Sequence, residues 1–401
     1  MNIKILFDGG KTMIIKELGI SGIGGIGELQ LKFESGWNVI CGANGIGKTT
    51  ILNVITDAFS SSNRIIKKNA KYETGEYNIS YMNNDGYFVE KRKQIKTFRP
   101  EEKENSNLDY NDTEYFMFFN ANRDIQYQKI DNIPIPKNKT AYNSANDAVK
   151  GIGIYNMKGW FIQRELFSKQ EIGIPEEMHA NLNLAKIAFG LLDDTISFSH
   201  IDPISSDIIL DTPKGKIAFE YLSSGYKMCI YIVIGMIKEI ETRFTDNLFK
   251  AESFNGVVLI DEIDLHLHPT WQVKLINTLK KTFPRAQFIC TTHSPSILQC
   301  LFGHEIIPLG SDQNGNTVVK KIELTAYGLQ GWTLEEILTD VMEMPNTTSE
   351  LYKRAIDEFD KAMYEGDIRS IRQQYDILDH MLHPNSIQRK LLQIQMAGLE
   401  A

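Results

Sequence analysis

The sequence predicts an α/β protein built around a phosphate-binding loop. Residues 42–49 read Gly-Ala-Asn-Gly-Ile-Gly-Lys-Thr and follow an apolar run at 37–41 that predicts a strand. Residues 49–59, directly after the loop, predict a helix. The apolar runs at 257–261 and 287–292 are typical of parallel strands buried on both faces. A strand–loop–helix unit combined with buried parallel strands indicates an α/β core.

Shorter patterns predict the remaining elements. Strands are expected at 13–20 and 29–33 around a glycine-rich turn, at 77–81 and 87–91 as a hairpin, at 115–119, and at 306–309 and 317–322 as a second hairpin. Helices are expected within 155–195 and from 333 to the end of the chain. Thr333 and Glu336 predict a capping box, Asp367 precedes another helix, and Pro384 is expected to open the last one.

These elements suggest a division of the chain into four parts. Residues 1–60 and 200–325 are expected to form the core, and 61–120 a basic β subdomain. Residues 121–199 are expected to form a helical lobe inserted before the second half of the core, and 326–401 a helical C-terminal interaction module.

Composition narrows the class of protein. A formal net charge of -8 argues against a protein covered in nucleic-acid-binding surface, although a local basic patch is compatible with it. The four cysteines show no CxxC spacing and are expected to be buried thiols in a reducing compartment. The first residues lack a signal-peptide pattern, and the apolar run at 228–237 is too short to span a membrane. We therefore expect a cytoplasmic protein without membrane association.

The glycine loop has the chemistry of a nucleotide site. Its glycines allow the backbone N–H groups to point at phosphate oxygens, and the following helix adds its positive dipole end. Lys48 is expected to reach the β- and γ-phosphates, and Thr49 to offer its hydroxyl to Mg2+. The predicted nucleotide-binding residues of the loop are Gly42, Asn44, Gly45, Gly47, Lys48, Thr49 and Thr50.

Two strand ends carry candidate catalytic side chains. Asp261 and Glu262 follow the apolar run at 257–260, where Asp261 could hold Mg2+ and Glu262 could act as general base. His293 follows the next apolar run, where it could contact the γ-phosphate. Taken alone, an acidic pair after a strand can be a solvated surface, and a single histidine is more often structural.

The segment Leu-Ser-Ser-Gly at 222–225 is a second candidate anion site. The Ser223 hydroxyl and the Gly225 N–H are expected at a helix start, ahead of the apolar run at 228–237. Ser-Ser-Gly is also common in turns. Its position between the phosphate loop and the Asp-Glu strand is what favours a functional interpretation.

The order of these motifs resembles that of ABC-type ATPases. The stretch Leu-Ile-Asp-Glu-Ile-Asp-Leu-His-Leu-His-Pro at 259–269, with Thr-Thr-His-Ser-Pro at 291–295, resembles the branch that contains RecF, the OLD family and ATPases of anti-phage systems such as Septu and PARIS. The resemblance covers residues 13–60 and 215–310 and implies ATP and Mg2+ as cofactors. It also implies a homodimer or higher homo-oligomer, in which Ser223 and Gly225 touch ATP held by another chain. Ser224 replaces the first signature glycine and Tyr226 the usual glutamine, which leaves the strength of that contact open.

Several residues near these motifs have two interpretations. His266 and His268 could form a metal pair, but the resemblance places them at the protomer interface. Gln126 and Gln128 are both candidates for the family's Q-loop glutamine. Arg123 could bind phosphate or form a salt bridge.

The resemblance implies a role in anti-phage defence, as a sensor that controls a separate effector nuclease through the C-terminal helices. The chain lacks a convincing Toprim nuclease pattern and a long coiled coil. One alternative is a RecF-like repair ATPase that binds DNA through residues 61–99, which hold nine Lys or Arg against four Asp or Glu. Another is a nucleotide-gated scaffold with slow turnover.

Overall fold

The computed structural model describes residues 12–60, 66–102, 110–123, 129–130, 132, 137–153, 157–170 and 173–400. The two candidate Q-loop residues, Gln126 and Gln128, lie outside these ranges, as do residues 61–65 of the basic stretch 61–99.

A mainly parallel sheet forms the centre of the larger unit. Among the described residues it has six strands in the order β13-β12-β3-β11-β10-β6. Their bounds are β3 Trp37–Cys41, β6 Phe116–Phe119, β10 Val257–Ile260, β11 Gln287–Thr291, β12 Ile306–Ser311 and β13 Thr317–Val319. β13 pairs antiparallel with β12, whereas the other neighbours are parallel. The predicted α/β fold is therefore confirmed.

Both faces of this sheet are covered, which explains its continuous apolar strands. Val258 and Ile260 of β10 belong to one hydrophobic cluster, and Val257 and Leu259 belong to the other. Because successive strand residues point to opposite faces, a strand between two packed layers must be apolar at every position.

Antiparallel strands form two further sheets. One has the order β2-β1-β4-β5, with β1 Ile14–Ile23, β2 Ile26–Lys32, β4 Gly75–Met82 and β5 Phe88–Ile95. Its β4–β5 hairpin is the one predicted from the Asn-Asn-Asp-Gly turn. The other has the order β7-β8-β9, with β7 Ser197–Ile201, β8 Ile208–Thr212 and β9 Gly215–Ala218.

Helices pack on the two faces of the central sheet. Those of the larger unit are α1 Lys48–Ala58, α2 Ala141–Lys150, α3 Met157–Phe167, α4 Glu176–Leu192, α5 Ser224–Arg243, α6 Pro269–Thr282, α7 Pro295–Leu298 and α8 Leu334–Glu336. The buried side chains of α3 to α6 belong to one cluster, whereas those of α1 pack with the β2-β1-β4-β5 sheet in the other. Within the described residues, no helix combines the length and apolar character needed to cross a bilayer.

Residues 344–401 form a second compact unit. Its helices are α9 Glu350–Glu365, α10 Ile368–Met381 and α11 Ile387–Glu400, and they enclose a small core of their own around Phe359 and Leu378. Asp367 caps α10 as predicted. The predicted capping box of Thr333 and Glu336 is also present, but α8 belongs to the larger unit. The division into four parts at the boundaries given above stays a prediction.

The sequence-based prediction differs from the structure at three elements. Pro384 does not open the last helix, which begins at Ile387. Helix α2 was not predicted because its segment is polar, with Ser144, Ala145 and Ala148 as its buried residues. The β7-β8-β9 sheet was also missed because much of β7 and β9 is solvent-exposed and gives little apolar alternation.

Candidate active site

The phosphate loop joins the end of β3 to the start of α1. Gly42, Gly45 and Gly47 have φ values of 141°, 77° and 105°, in the range that favours glycine. A Cβ at Gly42 would lie 2.4 Å from the Leu309 carbonyl oxygen, so this position admits no side chain. The loop backbone can therefore curl towards a bound phosphate only with these glycines in place.

Lys48 lies buried at the base of the loop. Its ammonium group donates to the carbonyl oxygens of Gly42 and Ala43, each at 2.9 Å. Burial lowers the pKa of Lys48, and the nearby acidic groups partly oppose that shift. These contacts hold the cation inside the glycine turn, where phosphate oxygens could replace the carbonyl acceptors.

Of the other predicted loop residues, Asn44 is exposed and Thr50 lies beside the Gly24 turn of β1 and β2.

Asp261 joins three parts of the site. The Thr291 hydroxyl at the end of β11 donates to Asp261 Oδ1 at 2.6 Å. The Thr49 hydroxyl donates to the same oxygen at 3.2 Å. The fold thus brings together the two residues predicted to hold Mg2+. Hydroxyl and carboxylate oxygens are the ligands that Mg2+ prefers, and it commonly uses one or two protein groups beside water and substrate phosphates. The donor set therefore fits the ion.

Glu262 has a left-handed backbone, with a φ of 47°. Its N–H donates to the Thr291 hydroxyl at 2.7 Å, and its carbonyl oxygen accepts from the Leu265 N–H at 2.9 Å. A non-glycine residue in this conformation is uncommon and often marks a functional turn. The Glu262 side chain is half-buried.

Asp264 holds the segment that carries His293. Its Oδ1 accepts from the Thr292 hydroxyl at 2.6 Å and from the His293 N–H at 3.1 Å. These bonds give Asp264 a structural role beside the site. Burial lowers the pKa of His293, and the charge of Lys48 lowers it further. Both effects favour the neutral imidazole.

Ser223 caps α5, and its hydroxyl accepts from the Tyr226 N–H at 3.3 Å. Gly225 faces Trp271, since a Cβ there would lie 2.9 Å from Trp271 Cδ1. Tyr226 is buried, packs edge-on against Trp271 at 5.4 Å, and donates its hydroxyl to the Phe189 carbonyl at 2.9 Å. The tyrosine that replaces the usual glutamine is thus a core residue.

The structure assigns separate positions to the two histidines of the His-x-His segment. His266 is exposed, has a φ of 62° and lines a cavity of about 650 Å³. His268 caps α6 and bonds Thr270. Across the described ranges, no group of three or more His, Cys, Asp or Glu side chains is arranged to hold a metal ion.

Residues whose roles the sequence could not assign support the site. Thr291 bonds both Asp261 and Glu262, and Arg123 donates to the carbonyl oxygens of the same two residues. Thr291 and Arg123 can make these contacts because β6, β10 and β11 lie side by side. The sequence indicates only that each residue lies at or just after the end of an apolar strand.

Two of the basic side chains in the β4–β5 hairpin serve the fold. Lys93 pairs at 2.6 Å with Asp57, whose side chain is fully buried. Lys91 lies over the Phe59 ring at 4.8 Å. Arg92, between them in sequence, points to the opposite, exposed face. The number of Lys and Arg residues in this segment therefore overestimates the positive charge on its exposed surface.

The phosphate loop, the Asp-Glu pair after a parallel strand and the signature-like helix start together define an ATPase of the ABC class. Residues 83–299 match the family described as "AAA domain, putative AbiEii toxin, Type IV TA system". The chain is 42% identical over 392 residues to Septu protein PtuA of Bacillus thuringiensis, a match that covers 96% of this chain and 98% of that protein. The chain therefore belongs to the Septu PtuA family.

More distant matches cover parts of the chain. Retron Ec83 probable ATPase of Escherichia coli is 32% identical over 39% of this chain and 28% of its own length. The SMC head domain of Thermotoga maritima is 13% identical with a TM-score of 0.43, over 77% of this chain and 99% of that domain. The predicted resemblance to ATPases of anti-phage systems is confirmed, and so is ATPase as the class of activity.

Proposed function

We propose that two chains of this ATPase associate head to head and share two ATP sites. Each site combines the phosphate loop of one chain with Ser223 and Gly225 of the other. The observation that carries the proposal is the placement of these residues at the start of the 20-residue helix α5. A helix start presents N–H groups and a positive dipole end to an anion. The hydrogen bond between the Ser223 hydroxyl and the Tyr226 N–H lies within the first turn of α5. Ser223 is exposed, so a second chain can reach its side chain.

Within each site, the residues of one chain have distinct roles. Lys48 and the loop N–H groups bind the phosphates, while Thr49 and Asp261 would hold Mg2+, which would neutralise charge on the phosphates. Glu262 accepts a proton from the water that attacks the γ-phosphate. His293 donates a hydrogen bond to the γ-phosphate. The Thr291 bonds to both Asp261 and Glu262 support this division of roles.

We further propose that the ATPase controls a separate effector nuclease in cytoplasmic anti-phage defence. The family membership supports the defence role. The unit 344–401 supports a docking role, because apolar side chains of α11 are exposed on it, among them Ile387, Leu391 and Ile394. Direct DNA binding would instead use exposed cations of the basic stretch 61–99, such as Arg92, Lys96 and Arg99.

A Glu262→Gln variant tests the proposed site. Removing the general base should lower ATP turnover by about 10²- to 10⁴-fold. ATP binding should persist, because Lys48 and Thr49 are unchanged, and light scattering should show an ATP-dependent dimer. Lys48→Ala is the matched control that should lose both binding and dimer. Turnover that survives in Glu262→Gln, or a monomer in saturating ATP, would contradict the proposal.

A further inference from the structure

Arg123 lies beneath the catalytic turn and is 5% exposed. It follows β6, whose parallel neighbour β10 ends at Ile260, directly before Asp261. Its Nη2 donates to the Asp261 carbonyl oxygen at 2.8 Å and to the Glu262 carbonyl oxygen at 2.5 Å. One guanidinium nitrogen therefore binds two consecutive peptide groups.

These two carbonyl groups flank the Cα atom of Glu262. The Asp261 carbonyl belongs to the peptide before Glu262, and the Glu262 carbonyl to the peptide after it. Holding both peptide planes fixes φ and ψ of Glu262, and hence the direction in which its side chain leaves the backbone. Glu262 has the unfavourable φ of 47°, so it needs such restraint from its surroundings.

Arg123 is a costly residue for the stability of the fold. Among the residues that the structure describes, none provides a hydrogen-bond partner for its buried Nε and Nη1. Buried donors without acceptors destabilise a folded protein, and a buried cation adds a desolvation cost. Burial lowers the pKa of Arg123, in agreement with that cost. A hydrophobic side chain of similar length would avoid this desolvation cost, so packing of the core alone does not account for an arginine here.

We propose that Arg123 is a positioning residue that holds Glu262 in the conformation needed to activate water. The proposal rests on the proposed role of Glu262 as general base. Arg123 contacts neither ATP nor water in this account, and it acts through the backbone of Asp261 and Glu262.

The test compares Arg123→Met with Arg123→Lys. Methionine removes two buried donors but leaves the Asp261 carbonyl oxygen without its guanidinium partner, whereas the Glu262 carbonyl keeps the Leu265 N–H, so the melting temperature should change little. The value of kcat should fall about 10²-fold, since small displacements of a catalytic group have effects of that size. The KM for ATP should stay within about threefold of wild type, because the phosphate loop is untouched. Lysine, which can still reach a carbonyl, should retain an intermediate kcat.

A matched control is available at the other end of β6. Arg243 is also buried, and its Nη1 donates to the Phe116 carbonyl oxygen at 2.6 Å. Arg243→Lys should lower the melting temperature and leave kcat per folded molecule unchanged. An equal loss of kcat in Arg243→Lys and Arg123→Met would overturn the proposal, as would a wild-type kcat in Arg123→Met.

A double variant separates this proposal from the one on which it rests. If Arg123 acts only through Glu262, Arg123→Met should cause no further loss of turnover in a Glu262→Gln background. A further loss of similar size would show that Arg123 acts elsewhere. Full turnover in Glu262→Gln alone would instead refute the general-base assignment.

Discussion

Tyr226 stands where related signature motifs usually have glutamine, and the structure gives a packing reason. The side chain is buried against Trp271, and its hydroxyl donates to the Phe189 carbonyl oxygen. The same bulky neighbour, Trp271, lies against Gly225. Packing against Trp271 beneath the start of α5 thus explains why tyrosine replaces the usual glutamine. This packing leaves Ser223 exposed at the surface.

Restoring the family residue should therefore destabilise this protein. Tyr226→Gln removes an aromatic ring from the core and buries an amide, which should cost about 2–4 kcal/mol in the free energy of unfolding. Tyr226→Phe is the matched control and should cost about 1 kcal/mol, because it loses one hydrogen bond. Urea denaturation of the three proteins measures the difference. If Tyr226→Gln proves as stable as wild type, the packing explanation fails.

At this scale, the sequence identified side chains whose chemistry is carried by a local motif. Lys48 and Thr49 belong to one contiguous loop, and Asp261 and Glu262 end one apolar strand. The roles of Thr291, Asp264 and Arg123 could not be predicted in the same way. Each acts on a residue that is distant in sequence, through hydrogen bonds that exist only once β6, β10 and β11 lie side by side.

At the scale of elements, β5 shows why a basic run is a poor guide to binding surface. Its residues alternate between an exposed face and a face that packs on α1. Lys91 and Lys93 share the inner face, where they meet Phe59 and Asp57. A variant that neutralises both together with Arg92 would weaken the fold as well as any DNA contact.

Lys93→Met should accordingly destabilise the protein, while Arg92→Gln should not. Loss of Lys93 removes a 2.6 Å ion pair from the buried Asp57 carboxylate, which also accepts from the Tyr77 hydroxyl, at a cost of about 3 kcal/mol. Arg92 makes an exposed ion pair with Glu90, and its loss should change the free energy of unfolding by less than about 1 kcal/mol. Thermal denaturation distinguishes the two. Equal stability of both variants would contradict the inward placement of Lys93.

The elements predicted well were those with strong local patterns. The β4–β5 hairpin follows from its turn, and the central strands follow from continuous apolar runs. Helix α2 is stabilised instead by contacts outside its own sequence, such as the ion pairs that Lys139 and Arg243 make with Asp147. Such tertiary contacts leave no periodic signal in the chain.

At the scale of the whole molecule, the contacts divide the chain between Glu343 and Met344. The larger unit contains the phosphate loop, the Asp-Glu turn and the signature helix. The unit 344–401 has a separate small core. This arrangement suits a division of labour in which the larger unit hydrolyses ATP and the smaller one binds a partner.

The central claim is that each ATP site is shared between two chains, and mixing two inactive variants tests it most directly. Lys48→Ala destroys the phosphate loop and keeps the signature. Ser223→Arg blocks the signature and keeps the phosphate loop. Each variant alone should be inactive. A heterodimer of the two has one intact site, made from the loop of one chain and the signature of the other.

An equimolar mixture should recover about one quarter of wild-type turnover if the chains pair at random, and about one half if only mixed dimers form, because each mixed dimer has one of its two sites intact. ATP turnover by the mixture, compared with each variant alone, is the measurement. Recovery near either level would support the shared site. A mixture no more active than the sum of its components, with both variants folded, would contradict it.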